Sequence, residues 1–187
     1  MPLSKSDWIE EALAVLACDG LAAVAVEPLA RRLGTTKGSF YWHFANRAEL
    51  VAATLELWER RATSETIERI EAIADPRERL NALATGAYAR ASRGNAYSAL
   101  LAAASDPPVR ALLERVTRAH LAFLERLYRD LGVRADQAAP HARLAYSVYL
   151  GISQLRVADP GDELEGRELE SYLELAVAGI MPPNPPA

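Results

Sequence analysis

Apolar residues recur along most of the chain at intervals of three and four, and runs that alternate apolar with polar are hard to find. That pattern predicts helix almost throughout, and the abundance of Ala, Leu, Glu and Arg agrees with it. A first helix is expected over about 6–18, where Ile9, Leu13 and Leu16 form one stripe, Ser4 or Ser6 can cap the start and Gly20 can end it. Cys18 is expected to pack on this helix as a small buried thiol. A second helix is expected over about 26–33; Pro28 is tolerable there because it falls in the first turn, whose amide hydrogens have no partner inside the helix. Gly34 stops it, and the hydroxyls of Thr35 and Thr36 can cap a short third helix. The outline is a supporting helix, a second helix, a tight turn holding a glycine, and a third helix.

Downstream, Asn46 can cap a long helix reaching about residue 73, with Leu50, Leu57, Ala62, Ile67 and Ile70 among its apolar positions and Asp75 and Pro76 to break it. Further helices are expected over 76–92, 96–104, 108–131, 136–157 and 163–180, punctuated by Gly94 and Asn95, Asp106 to Pro108, Gly132, and Asp159 to Asp162. The closing stretch "MPPNPPA" has too little apolar content to fold, so residues 182–187 are expected to be a disordered tail. The fold class predicted is all-α.

The third helix carries the stretch "TTKGSFYWHF", Thr35 to Phe44. At about 100° per residue, Phe40 and Phe44 share one face, while Gly38 and Trp42 lie opposite with Ser39 and Tyr41 on the shoulders. If the phenylalanines turn inward, Trp42 points outward, where a large ring gains little unless a partner covers it. One such partner is a following helix or a neighbouring domain; the other is DNA. Between Pro28 and Ala48 the chain has Arg31, Arg32, Lys37, His43 and Arg47 and no Asp or Glu, a patch that can attract phosphate. Gly38 would let backbone approach a phosphate or base closely, amide hydrogens at the helix start can bind phosphate, and an indole or phenol edge can meet a thymine methyl in the major groove. These neighbours favour DNA as the partner of Trp42.

Composition narrows the remaining classes. Half of the 187 residues are apolar, enough for one good core or two small ones. The balance of 21 basic and 25 acidic residues argues against a chain that coats nucleic acid indiscriminately. A single cysteine excludes an intramolecular disulfide framework, and no Cys/His cluster suggests a metal site, so neither metal nor cofactor is expected. No signal-peptide pattern and no apolar run long enough to span a membrane is found, so the cytoplasm is the expected location and a membrane partner is not. There is no G-x-S-x-G, Walker loop or H-E-x-x-H, and His43, His120 and His141 have no companion spacing, so no enzyme is expected.

From Ser6 to Leu50, about a quarter of the chain, the stretches "EPLARRLG", "TTKGSFYWHF" and "NRAEL" occur in an order that resembles the DNA-binding domain of the TetR family of transcriptional regulators. The resemblance implies base or groove contacts from Thr36, Lys37, Ser39 and Trp42, phosphate contacts from Thr35, Tyr41, His43 and Arg47, and core positions at Leu29, Ala30, Leu33, Phe40 and Phe44. Arg31 can reach the DNA backbone or simply be solvated. Where the family usually has a Ser or Thr cap before the second helix, this chain has Ala25 and Val26. Loss of such a cap typically costs about 1 kcal/mol.

The expected organisation is a helix-turn-helix domain over 1–48, joined through the helix at 46–73 to a helical ligand-binding and dimerisation domain over 49–181. The glutamates of that joining helix, Glu56, Glu59, Glu65, Glu68 and Glu71, are expected to form a solvated face. The resemblance implies a homodimer that binds a double-stranded, pseudo-palindromic operator as a repressor and is released by a small-molecule effector, with the helices at 108–131 and 136–157 packing against their copies. Candidate effector-lining residues are Tyr88, Tyr97, His120, Phe123, Tyr128, Tyr146, Tyr149 and Gln154, which favour a largely apolar or aromatic compound. The alternative is a helical interaction protein that keeps a DNA-binding head but binds a protein through its C-terminal domain.

Overall fold

The structure is a computed structural model that describes residues 3–91, 96–159 and 164–182. All regular elements among the described residues are helical, as the periodicity predicted: α1 (Lys5–Asp19), α2 (Val26–Arg32), α3 (Lys37–Phe40), α4 (Arg47–Glu59), α5 (Glu65–Glu71), α6 (Pro76–Ala91), α7 (Ala96–Ala102), α8 (Pro107–Asp130), α9 (Ala135–Ala158) and α10 (Gly166–Ile180). A 3₁₀ turn (Leu21–Ala23) follows α1, and a π turn (Arg60–Ser64) separates α4 from α5. The chain divides into two compact units, residues 1–62 with 94–114 and residues 63–93 with 115–187. The expected tail lies outside the described residues, apart from Pro182.

The N-terminal unit is organised around α1. Ser4 caps this helix in a reciprocal box: the Asp7 amide donates to Ser4 Oγ at 3.2 Å, and the Ser4 amide donates to the Asp7 carboxylate at 2.6 Å. The Ser4 amide, and after it the Ser4 hydroxyl that donates to the same carboxylate oxygen at 2.8 Å, hold the Asp7 carboxyl below its ordinary range. The buried stripe of α1 is Trp8, Ala12, Val15 and Leu16. It shares Leu16 with the expected stripe but has Trp8, Ala12 and Val15 where Ile9 and Leu13 were expected, and the half-buried Ile9 and Leu13 flank it. Trp8 wins the inward face because its indole seats edge-on against Phe40, ring centroids 5.4 Å apart. That rotation corrects the expectation for Cys18, whose thiol is exposed.

Around α1 pack α2, α4 and α7, with Val24, Leu29, Ala30, Phe40, Phe44 and Leu50 filling the core. Residues 96–114, far along the chain, belong to this unit too: Tyr97 and Leu100 of α7 and Val109 and Leu112 of α8 are buried in it. Tyr97 sets its ring 6.2 Å from that of Trp58. Arg61 clasps Glu10 of α1 through two N–H···O bonds, a fork geometry that fixes the π turn to the first helix. The expected long helix over 46–73 is present as α4, the π turn and α5 in unbroken succession, and the boundary between the units falls at the π turn.

The C-terminal unit takes α5, α6, most of α8, α9 and α10. Its core gathers Ile70, Leu80, Phe123, Leu124, Leu127, Tyr128, Ala138, Ala142, Tyr146 and Ile180. Asp75 starts α6 by accepting from the Arg77 amide at 2.9 Å, with Pro76 at the first helical position, where its missing N–H costs nothing. Arg79 then donates to the Ile73 and Glu71 carbonyls at 2.6 and 3.2 Å, satisfying the open end of α5. Tyr128 is fully buried, and its hydroxyl donates to the Ile180 carbonyl at 2.7 Å, tying α8 to the end of α10. Burial pushes that phenol well above its ordinary pKa.

Candidate nucleic-acid interface

The α2–turn–α3 segment begins without a side-chain cap, since Ala25 at the N-cap of α2 offers none. Its turn is well held. Gly34 takes φ +63°, which favours glycine, while the Thr35 amide donates to the Ala30 carbonyl at 2.9 Å. Thr36 caps α3 by accepting from the Ser39 amide at 3.3 Å. Beyond Phe40 the helix continues as tighter bonds from Trp42 to Ser39 and from His43 to Phe40, at 3.3 and 2.9 Å. The Phe44 amide returns to the Phe40 carbonyl at 3.0 Å.

This short helix sorts its aromatic residues by face, as its sequence predicted. Phe40 and Phe44 are buried and stacked with centroids 5.4 Å apart. Trp42 is 88% exposed and Tyr41 55% exposed. Thr36, Lys37 and Gly38 are exposed beside them, and Thr35, Ser39 and His43 are half-buried. Gly38 has an ordinary helical backbone, and a Cβ placed on it would meet Thr36 Oγ1 at a normal 3.6 Å. Nothing among the described residues requires glycine there.

The charges are arranged differently from their order in sequence. Although 28–48 contains no acid, the fold brings acids to its basic side chains: Lys37 Nζ lies 2.9 Å from Glu27 of α2, and Arg32 pairs with Glu11 of α1. The Lys37 hydrogen bond holds the Glu27 carboxyl below its ordinary range, and the same bond raises the Lys37 ammonium. Arg47 is exposed and folds back along the surface, donating from Nε to the Val24 carbonyl and from Nη2 to the Leu21 carbonyl at 2.9 Å. It thus closes the end of the 3₁₀ turn. Arg31 remains an exposed cation on α2, its charge contributing to the lowering of Glu27.

Two framing residues, Glu49 and Lys5, stand outside the candidates named from the sequence. Glu49 accepts from the Ala45 amide at 2.8 Å while its own amide donates to Asn46 Oδ1 at 3.0 Å, so Asn46 and Glu49 together fix the entry into α4. The Ala45 bond is the main cause of a lowered Glu49 carboxyl pKa. Lys5 then bridges Glu49 at 3.0 Å and the Phe44 ring, whose centroid is 4.7 Å from its ammonium. An Asn-x-x-Glu spacing signals the first of these; the lysine, more than forty positions upstream, is connected only by the fold.

The residues named for an effector pocket are distributed over both units. Tyr97 belongs to the N-terminal unit. In the C-terminal unit His120, Tyr146 and Tyr149 form one cluster, with centroids 5.5 Å apart for the first pair and 5.8 Å for the second. Tyr128 stacks near His141 at 5.2 Å and is committed to Ile180. Phe123 forms part of the lining of a separate cleft of about 180 Å³ with Glu71, Arg79, Arg126, Leu127, Arg129 and Asp130. Gln154 is exposed, and the side chain of Tyr88 lies outside the described residues.

Burial also divides the apolar surface of the long helices. On α8, Leu113, Val116, Phe123, Leu124, Leu127 and Leu131 are all buried within the chain. The exposed leucines of the C-terminal unit are Leu144 and Leu155 of α9 and Leu175 of α10, at 49%, 66% and 74%. Exposed Ser147 and Gly151 continue the α9 stripe between its two leucines. Exposed leucines therefore lie on α9, one of the two long helices expected to pack against their copies, and on α10. Among the described residues no three His, Cys, Asp or Glu side chains are grouped to hold a metal ion, and no helix is long and apolar enough to cross a membrane.

A supported helix-turn-helix with a bare aromatic face defines an all-α chain of the helix-turn-helix class. Residues 9–54 match the family of bacterial regulatory proteins, tetR family. The chain thus carries a TetR-family N-terminal domain. Its whole course is similar to NemR of E. coli in the reduced form, at 17% identity and TM-score 0.79, covering 97% of this chain and 99% of that one. It is also similar to a TetR-family transcriptional regulator from Streptomyces coelicolor, at 18% identity and TM-score 0.75 with coverages of 95% and 89%. BioQ, solved with its natural double-stranded DNA operator, aligns at 23% identity and TM-score 0.52, covering 96% and 98%. At these identities the likeness is one of fold. No curated protein matches the chain.

Proposed function

We propose that this chain is a DNA-binding transcriptional regulator, acting as a homodimeric repressor on a pseudo-palindromic operator. The observation that carries the reading is Trp42, 88% exposed on the face opposite a buried phenylalanine pair. A ring of that size in water gains nothing for the isolated chain, whereas in a major groove it finds thymine methyls and sugar edges to cover. Gly38 on the same face supports this, being a glycine without an internal reason. So do the tetR-family match over 9–54 and the fold likeness to BioQ, which was solved on an operator.

The dimer is supported by Leu144, Leu155 and Leu175, whose exposure on two helices of one unit suits a second copy of the same face. A two-fold axis would set two α3 helices about one DNA turn, or a multiple, apart and require a pseudo-palindrome. Release falls to a small, largely apolar or aromatic effector, for which the His120–Tyr146–Tyr149 cluster is the strongest candidate contact. Such an effector acts only if it binds better to a dimer whose DNA-reading heads are misplaced. Selection of bound fragments from a random duplex pool by the purified protein tests the reading. Enrichment of a pseudo-palindrome supports it, and recovery of random sequence from effector-free protein contradicts it.

A further inference from the structure

The interface has an acid where a DNA reader would be expected to avoid one. Glu27 sits in the first turn of α2, exposed, 2.9 Å from the ammonium of Lys37 at the start of α3. The fold does not require the pair: Leu29, Ala30 and Phe40 already pack α2 and α3 into the core, and an exposed ion pair contributes little. Glu27 does place a negative charge at the positive end of a helix whose N-cap is alanine, a modest structural benefit. A glutamate anywhere in that first turn would supply it. The placement against Lys37 matters for binding, because random-sequence affinity comes from cations that neutralise phosphates and release counterions. A lysine paired to a carboxylate contributes no net charge to that process, and the carboxylate itself repels the backbone.

Resting on the reading of this surface as a DNA interface, we infer that Glu27 sets specificity: it withholds Lys37 from indiscriminate phosphate attraction, so that sequences unable to engage the α3 face are held weakly. This is discrimination by a built-in penalty against the wrong partner. Lys37 keeps two further N–H donors, so a correctly placed acceptor in the groove can still use it without breaking the pair.

The test measures affinity and salt dependence on two probes, a 30-base-pair duplex of random sequence and the duplex enriched by selection, for wild type, Glu27→Gln, Glu27→Asp, Lys37→Gln and the Glu27→Gln/Lys37→Gln double variant. Glu27→Gln is expected to tighten binding to random duplex and steepen the slope of log K against log salt by about 0.9, one more phosphate contact. That slope makes the gain about three- to fourfold larger at 50 mM than at 200 mM salt. The enriched duplex should gain less, so the specificity ratio falls. Glu27→Asp, which keeps the charge, should restore the wild-type slope, and the double variant should show no gain over Lys37→Gln. An unchanged random-duplex slope in Glu27→Gln overturns the inference, as does an equal gain with and without Lys37. So does loss of the enriched duplex alone, which would make Glu27 a direct base contact. A wild-type protein that prefers neither probe would sink the regulator reading and the inference with it, a result distinct from any of these. Thermal melting of each variant separates the helix-start contribution, which moves stability without moving the slope.

Discussion

In the N-terminal unit the residues left to the solvent include a tryptophan and a tyrosine, while among the described residues of the C-terminal unit the aromatic rings are buried or half-buried and three leucines stand exposed. The same chain thus shows two kinds of unpartnered surface. An indole or phenol has an apolar body and a polar edge, which suits a wet, chemically varied partner such as a DNA groove. A leucine stripe has no polar handle and suits a dry, self-complementary one. Outward residue type, more than outward hydrophobicity, tells these two surfaces apart.

The largest expected effect lies on the leucine surface. If it is a two-fold interface, Leu155→Glu with Leu175→Glu alters four leucines per dimer, each contributing roughly 1.5–3 kcal/mol when buried. Sedimentation should show monomers, with the helical spectrum retained because both side chains are exposed in the single chain. A dimer that survives both changes would break the comparison. On the aromatic surface, the inward and outward rings should separate cleanly. Phe40→Ala is expected to lower stability by about 3–5 kcal/mol in a denaturant titration. Trp42→Ala should leave stability alone and weaken operator binding by about 2 kcal/mol, roughly thirtyfold.

Arg47 sharpens the contrast between holding the fold and touching DNA. Because its guanidinium is bonded to the Leu21 and Val24 carbonyls, Arg47→Ala should destabilise the protein by about 1–2 kcal/mol in a melting experiment and leave the salt slope of DNA binding unchanged. A flattened slope with intact stability would return Arg47 to the phosphate contacts implied by the family resemblance. The smallest effect is at Gly38. Gly38→Ala should stabilise α3 by about 0.5–1 kcal/mol, since the space and the backbone permit a Cβ, yet weaken operator binding by crowding the approach. Stability and affinity moving together there would mean that the glycine serves the fold.

The sequence was most informative where structure is local. Gly34 stopping α2, Thr36 capping α3, Phe40 and Phe44 turning inward and Trp42 outward all follow from spacing within ten residues. In α1 two parallel stripes, Ile9–Leu13–Leu16 and Trp8–Ala12–Val15, fit the same period, and only the presence of Phe40 selects the one holding the larger ring. Cys18 was misplaced by the same ambiguity. Periodicity gives a face but not the neighbour that meets it, so the Lys37–Glu27, Arg47–Leu21 and Arg61–Glu10 pairings were out of reach. For the same reason the sequence did not reveal that α7 packs on α1, nor that α8 buries its apolar stripe while α9 and α10 leave leucines bare. The π turn at Arg60–Ser64 has no sequence signal, and Thr63 within it is a buried hydroxyl with no hydrogen-bond partner among the described residues.

The central claim is that Trp42 meets DNA, and the chain supplies its own reporter. It has three tryptophans, of which Trp8 and Trp58 are buried and Trp42 is 88% exposed. Tryptophan fluorescence recorded while the selected duplex is titrated into the protein should change in intensity and shift as the exposed indole leaves water, and Trp42→Ala at saturating duplex should show no such change. The same change in Trp42→Ala, or bound DNA with no change in wild type, would contradict the claim.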